Sequence, residues 1–71
     1  MDYQIDARGL ACPLPVMRTS KMLGEIDKGR VVVVVDNASA RDNVNRLAES
    51  MGCTVSIEKR DDDYYLTITK H

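Results

Sequence analysis

The run of five valines, Val31 to Val35, constrains this chain more than any other stretch. β-Branched side chains are held to one rotamer in a helix but pack well on a pleated strand. A strand that is apolar on both faces is shielded from water on both, so the run predicts a central strand over Arg30 to Asp36 with neighbours beside it. The chain has 71 residues, and at that length folding removes only about 60% of the unfolded-chain surface from water. Such a chain can build one thin core, hence a single domain over residues 1–71.

The flanking sequence supplies the rest of the layer. Tyr3-Gln4-Ile5-Asp6 alternates apolar and polar, which predicts a short strand running into a loop over Ala7 to Ala11 that Gly9 bends. From Pro13 or Pro15 onward, Val16, Met17, Leu23 and Ile26, with small Ser20 between them, recur at helical spacing. Gly24 or the Asp27-Lys28-Gly29 turn signal ends that helix. Met17 and Met22 read as core or rim filler.

Beyond the valines, Asn37-Ala38-Ser39 offers capping chemistry, and Ser39 with Asp42 approximates a capping box. A second helix then places Ala40, Val44, Leu47, Ala48 and Met51 on one face, with Gly52 as its C-terminal cap. Cys53, Val55 and Ile57 alternate inward along a further strand. A polar turn at Arg60 to Asp63 leads to a last strand, Tyr64 to Thr69, with Tyr64, Leu66 and Ile68 inward. The order is βαβαββ: an α+β two-layer sandwich with a four-stranded mixed sheet and two helices on one face. The other sheet face carries threonines and serine for water, and the alternate valines there form a modest apolar strip.

Composition excludes several classes. Ten basic and eleven acidic side chains are mixed along the sequence for a net charge of −1, and tyrosines are its only aromatic residues, three in number. A basic surface interleaved with aromatic stacking platforms, as nucleic-acid binding requires, is therefore not expected. Five consecutive apolar residues fall far short of the ~20 that a bilayer span needs, so no membrane partner is expected. Two cysteines make no disulfide framework, and no secretory leader pattern is seen, which predicts a reducing, cytoplasmic setting. Two isolated cysteines and terminal His71 make no metal spacing, and Asp61-Asp62-Asp63 lacks the glycine and bidentate glutamate of a calcium loop.

One stretch stands apart from this scaffold: Arg8-Gly9-Leu10-Ala11-Cys12-Pro13-Leu14-Pro15. Proline is tolerated in a helix only in its first turn, so two prolines this close mark a helix start. Two registers fit. In one, Cys12 is the N-cap, Pro13 the first helical residue, and the sulfur faces the Leu14 amide; in the other, Leu14 is the cap and Pro15 the first helical residue. Either register puts the Cys12 sulfur at the positive end of a helix dipole, with Arg8 near in sequence, and so favours thiolate. A free cysteine is most often a small buried hydrophobe. That description suits Cys53, at the inward start of a strand, whereas a glycine loop and two prolines around Cys12 predict exposure. Arg18 and Lys21, further along the same helix, are candidates for partner docking, against the default of solvated helix charges.

Asp6-Ala7-Arg8-Gly9-Leu10-Ala11-Cys12-Pro13-Leu14-Pro15 resembles the signature of the TusA/SirA/YedF family of small sulfur-relay proteins, and the likeness spans nearly the whole chain. Val35-Asp36-Asn37, Ala40, Asn43-Val44, Arg46 and Ala48 to Gly52 are most similar to YedF-type N-terminal domains, which are associated with selenium metabolism. The resemblance implies a fold like the C-terminal domain of translation initiation factor 3. It implies that Cys12 carries sulfur as a covalent persulfide without a separate cofactor, and that Arg8, Gly9, Pro13, Leu14 and Pro15 shape its surroundings. The implied partners are a cysteine desulfurase or other sulfur donor and a downstream sulfur acceptor. In TusA-type relays the route ends in tRNA thiolation; YedF-type chains continue into a DsrE-like domain. The alternative from another class is a binding, regulatory or redox-sensing module on the same fold.

Overall fold

Val31 to Val35 form the middle of the sheet. In a computed structural model that describes residues 2–11 and 13–71, the elements are β1 Asp2–Asp6, α1 Leu14–Glu25, β2 Gly29–Val35, α2 Ala38–Ser50, β3 Thr54–Arg60 and β4 Asp63–Lys70. The strand order is β1-β2-β4-β3, with β1 parallel to β2 and β4 antiparallel to both its neighbours. Both helical connections move the same way across the sheet, from β1 to β2 and from β2 past β4 to β3. Right-handed crossovers then place both helices on one face, where α1 and α2 pack on each other and on the sheet.

Val31, Val33 and Val35 are fully buried beneath the helices, beside Ile5, Leu66, Ile68, Leu23, Val44 and Ala48. Val32 and Val34 point to the other face. There Val34 sits in register between Asp6 and Tyr65, and Val32 between Gln4 and Thr67. The apolar strip is thus two residues long and framed by polar side chains.

The buried stripe of α1 differs from the expected one. It runs through Pro15, Thr19 and Leu23, and Met17 is 58% exposed instead of filling the core. Steps of four from Pro15 set that stripe, and neither proline nor threonine registers in an apolar pattern. Thr19 is satisfied in its buried place because its hydroxyl donates to the Pro15 carbonyl at 2.8 Å. Met22 lies half-buried at the rim, as expected.

Helix ends are closed by specific groups. The cap of α2 is Asn37, two residues before the expected Ser39, and its side-chain oxygen accepts from the Ala40 amide at 2.8 Å. At the other end, Gly52 adopts φ +79, its amide donates to Glu49 O, and the Cys53 amide donates to Ala48 O. These paired bonds form a Schellman motif, accompanied by burial of Ala48 and Cys53. The C-terminus of α1 is closed from a distance, by Lys70 Nζ on the carbonyls of Leu23 and Ile26. Cys53, just before the edge strand β3, is buried, and along that strand Val55 is half-buried and Ile57 43% exposed. Ile57 was expected inward; the two-helix layer does not extend over the far half of an edge strand.

Lys70→Met keeps the aliphatic stem but removes the positive charge and both donors at the end of α1. Urea denaturation is expected to show a loss of about 1–2 kcal/mol.

Candidate functional site

Because β1 and β2 are parallel neighbours, the connections leaving their C-terminal ends emerge together, and α1 and α2 both begin there. The Asp61-Asp62 turn between β3 and β4 lies at the same end, since Val35 pairs with Tyr64. The loop over Ala7 to Ala11 is therefore held from several sides.

Arg8 and Asp6 form a two-pronged pair, Nε to Oδ1 and Nη2 to Oδ2, both at 3.0 Å. The Arg8 backbone amide also donates to Asp6 Oδ1 at 3.1 Å. The third guanidinium nitrogen, Nη1, reaches Asp63 Oδ2 at 3.2 Å. One cation thus ties the loop to its own strand and to the distant hairpin. Hydrogen bonds from the Arg8 side chain and backbone lower the Asp6 pKa from 3.8 to about 2. The sequence suggested Arg8 as positive charge for Cys12; all three of its guanidinium nitrogens are engaged by carboxylates.

Gly9 takes φ +76, a conformation that strains residues with a Cβ, and its amide donates to Asp36 Oδ2 at 2.8 Å. Asp36 Oδ1 accepts from Asn37 Nδ2 at 3.0 Å. The Gly9 amide, then the Asn37 side chain, lower the Asp36 pKa. Ala7 donates its amide to Val34 O at 2.8 Å, extending the β1–β2 ladder into the loop. Leu10, half-buried, packs against the core.

The helix start follows neither expected register. Pro13 is the N-cap, at φ −101 and ψ 20, Leu14 is the first helical residue and Pro15 the second. The Leu14 amide donates to Ala11 O at 2.9 Å. The Pro13 carbonyl accepts from Met17, and Pro15 sits where a helix needs no N–H. Of the first two helical residues, Leu14 has its amide engaged and Pro15 has none. Cys12 lies outside the described residues. On either side of it Ala11 and Pro13 are exposed, as is Leu14.

Leu10, Pro13 and Val16 face Asn37, Ser39 and Asn43 across a small pocket between the two helix starts. It continues along α1 and α2 as a shallow groove past Arg46 and Leu47. Asp36 and Asp63, which hold the loop, and Asn43 and Arg46, which line the groove, were not read as site residues. Strand register brings Asp36 and Asp63 to the loop from 27 and 55 residues away, and the packing of α2 on α1 brings the other two. Arg18 and Lys21 do not join this groove; they are exposed beside β1, with Gln4 and Met22. Cys53 is 7% exposed, in the core at the opposite end of α2.

The depressed Asp6 pKa sets a pH window. The Asp6–Arg8 contribution is complete above about pH 4 and is lost as pH falls through about 2, where the carboxylate protonates. NMR titration of the Asp6 carboxyl carbon is expected to give a midpoint well below 3.8. Asp6→Asn is expected to remove the acid-dependent shift of the Arg8 amide, which donates to that carboxylate, below pH 4.

Residues 3–70 match the family described as sulfurtransferase TusA. A provisionally named sulfur carrier protein of Methanocaldococcus jannaschii is 34% identical over 68 residues, 94% of this chain and 91% of that one. The sulfur carrier protein TusA of Allochromatium vinosum is 42% identical over 43 residues, 58% of this chain and 57% of that one. A crystal structure of a SirA-like protein from Desulfitobacterium hafniense superposes with a TM-score of 0.91 at 38% identity, covering 94% of this chain and 95% of that one. With a proline-flanked cysteine following a clamped loop at the end of the sheet where both helices begin, and with this likeness along almost its entire length, the chain belongs to the TusA family.

Proposed function

We propose that this protein is a sulfur carrier that accepts and hands on a single sulfur atom as a persulfide on Cys12. The observation that carries this reading is the convergence of both helix N-termini on the loop that precedes Cys12 and Pro13. Two positive dipole ends favour an anion there, whether thiolate or persulfide.

The transfer is an exchange at sulfur with no net oxidation. The Cys12 thiolate attacks the outer sulfur of a donor persulfide, R–S–SH. The donor S–S bond breaks, R–S⁻ departs with the electron pair, and Cys12 becomes Cys12–S–SH. In the second step an acceptor thiolate attacks that outer sulfur, the new S–S bond forms on the acceptor, and the Cys12 thiolate leaves. A low-pKa thiol serves both steps, as a populated nucleophile and as a good leaving group.

The loop geometry supports a carrier better than a turnover enzyme. With Leu14 bonded to Ala11 and Pro15 lacking an amide, neither of the first two helical residues among the described ones offers a free donor to bind the outer sulfur tightly. A loosely held sulfur is easier for an acceptor to take. Pro13 and Pro15 stiffen the segment, while Arg8 and Asp36 fix the loop before it. Arg8, Gly9, Pro13, Leu14 and Pro15 thus position Cys12, and the groove between α1 and α2 gives a desulfurase or an acceptor protein a surface beside it. Cytoplasmic reducing conditions keep the thiol available. tRNA thiolation and selenium metabolism are the two routes its family resemblance connects to such a carrier.

Incubation with cysteine and a cysteine desulfurase, followed by intact-protein mass spectrometry, is expected to show one added sulfur that dithiothreitol removes and Cys12→Ser abolishes. Sulfur that loads on Cys53 instead, or a protein that stays bare while a known carrier is loaded, overturns the proposal. Asp36→Ala, which frees the Gly9 amide, is expected to slow loading several-fold, about three to ten times, through looser positioning, while leaving Cys12 modifiable.

A further inference from the structure

We infer that the free edge of β1 is a docking strand for an extended acidic segment of another protein, held between that edge and Arg18 and Lys21 of α1. β1 has one neighbour, β2. The Ala7 amide points to Val34 O, so the odd-numbered residues of this segment face β2, and the backbone N–H and C=O groups of Gln4 and Asp6 face away from the sheet. That rim carries neither a bulge nor a proline, two of the devices that protect an edge.

Beside the rim, α1 stands off to leave an open groove of about 500 Å³ lined by Gln4, Ile5, Arg18, Lys21, Met22 and Glu25. The charge there selects the occupant. The carboxylate of Asp6, at one end, is neutralised by Arg8, whereas Arg18 and Lys21 make no ion pair among the described residues. Glu25 lies at the far end, beside Tyr3. An added strand sends alternate side chains toward α1. Acidic residues there meet Arg18 and Lys21, and an apolar one between them meets Met22 and the edge of Ile5. A second copy fits less well. Its own β1 edge carries the same Arg18 and Lys21 beside it, so pairing two such edges gathers like charges at one junction. The other edge, β3, already carries the Glu58–Arg60 pair on its own rim.

This mode of docking requires nothing of Cys12. It adds main-chain hydrogen bonds for affinity and leaves the groove beside the cysteine open, as strand addition at a sheet edge generally does. The test is a titration of ¹⁵N-labelled full chain with an acetylated, amidated peptide, Glu-Ser-Val-Ser-Glu-Ser, whose alternate positions put glutamate, valine and glutamate on one face, and with its counterpart carrying lysine for glutamate. Saturable shifts at Gln4, Ile5 and Asp6, with slowed amide exchange at Gln4 and Asp6, are expected for the acidic peptide and not for the basic one. Arg18→Gln with Lys21→Gln, both exposed positions, is expected to weaken binding about fivefold without altering the remaining spectrum, and Cys12→Ser to bind as the native chain does. Equal response to both peptides, shifts confined to β3, or no saturable shift overturns the inference. Concentration-dependent shifts of the same amides without peptide would assign the edge to a second copy and overturn it equally.

Discussion

Burial of β2 is the constraint on which the rest of the molecule depends. Val31, Val33 and Val35 are fully removed from water under the helices, and Val34 nearly so on the opposite face. A strand this apolar cannot sit at an edge. With β1 parallel on one side and β4 antiparallel on the other, its backbone is paired along both rims. Parallel pairing with β1 demands a crossover, which α1 supplies. The second connection moves in the same direction, so α2 must lie beside α1. The position of both helix starts at one end of the sheet follows from that topology.

What happens at that end is decided by a few polar bonds. A seven-residue connection between β1 and α1 has its own backbone groups to satisfy, and most of the anchors are carboxylates from elsewhere in the chain. Asp36 takes the Gly9 amide, Asp63 takes one arm of Arg8, and Asp6 takes the other two nitrogens. These bonds are exposed, and individually each contributes little to global stability. Their consequence is positional, because they hold the loop at one height above the sheet and direct the chain into Pro13 and α1.

Positive charge on the surface is divided in the same way between structure and availability. Arg8 and Lys70 face carboxylates or helix carbonyls, and Arg41 lies over the Tyr64 ring while pairing with Asp42. Arg18 and Lys21 have no such engagement among the described residues, and they stand beside an unpaired strand rim. Cationic side chains left free next to open main-chain groups are a different kind of surface from the apolar groove between the helices. The two surfaces lie on opposite sides of α1, so occupation of one leaves the other accessible.

The element order, the central strand, the sandwich and the burial of Cys53 were legible in the sequence, because each rests on short-range periodicity or on β-branching. A helix start within a residue or so of the two prolines was legible too, since proline restricts its own neighbourhood wherever it occurs. Tertiary structure alone decided the exposure of Met17 and Ile57, which depends on how far the helical layer reaches. It likewise decided that Pro13 caps α1, that Asn37 rather than Ser39 caps α2, and that Arg8 is held by Asp63 across 55 residues. The physical reason is common to these cases. Periodicity records which side of an element is apolar, whereas cap geometry, edge exposure and ion-pair partners depend on where elements distant in sequence come to rest.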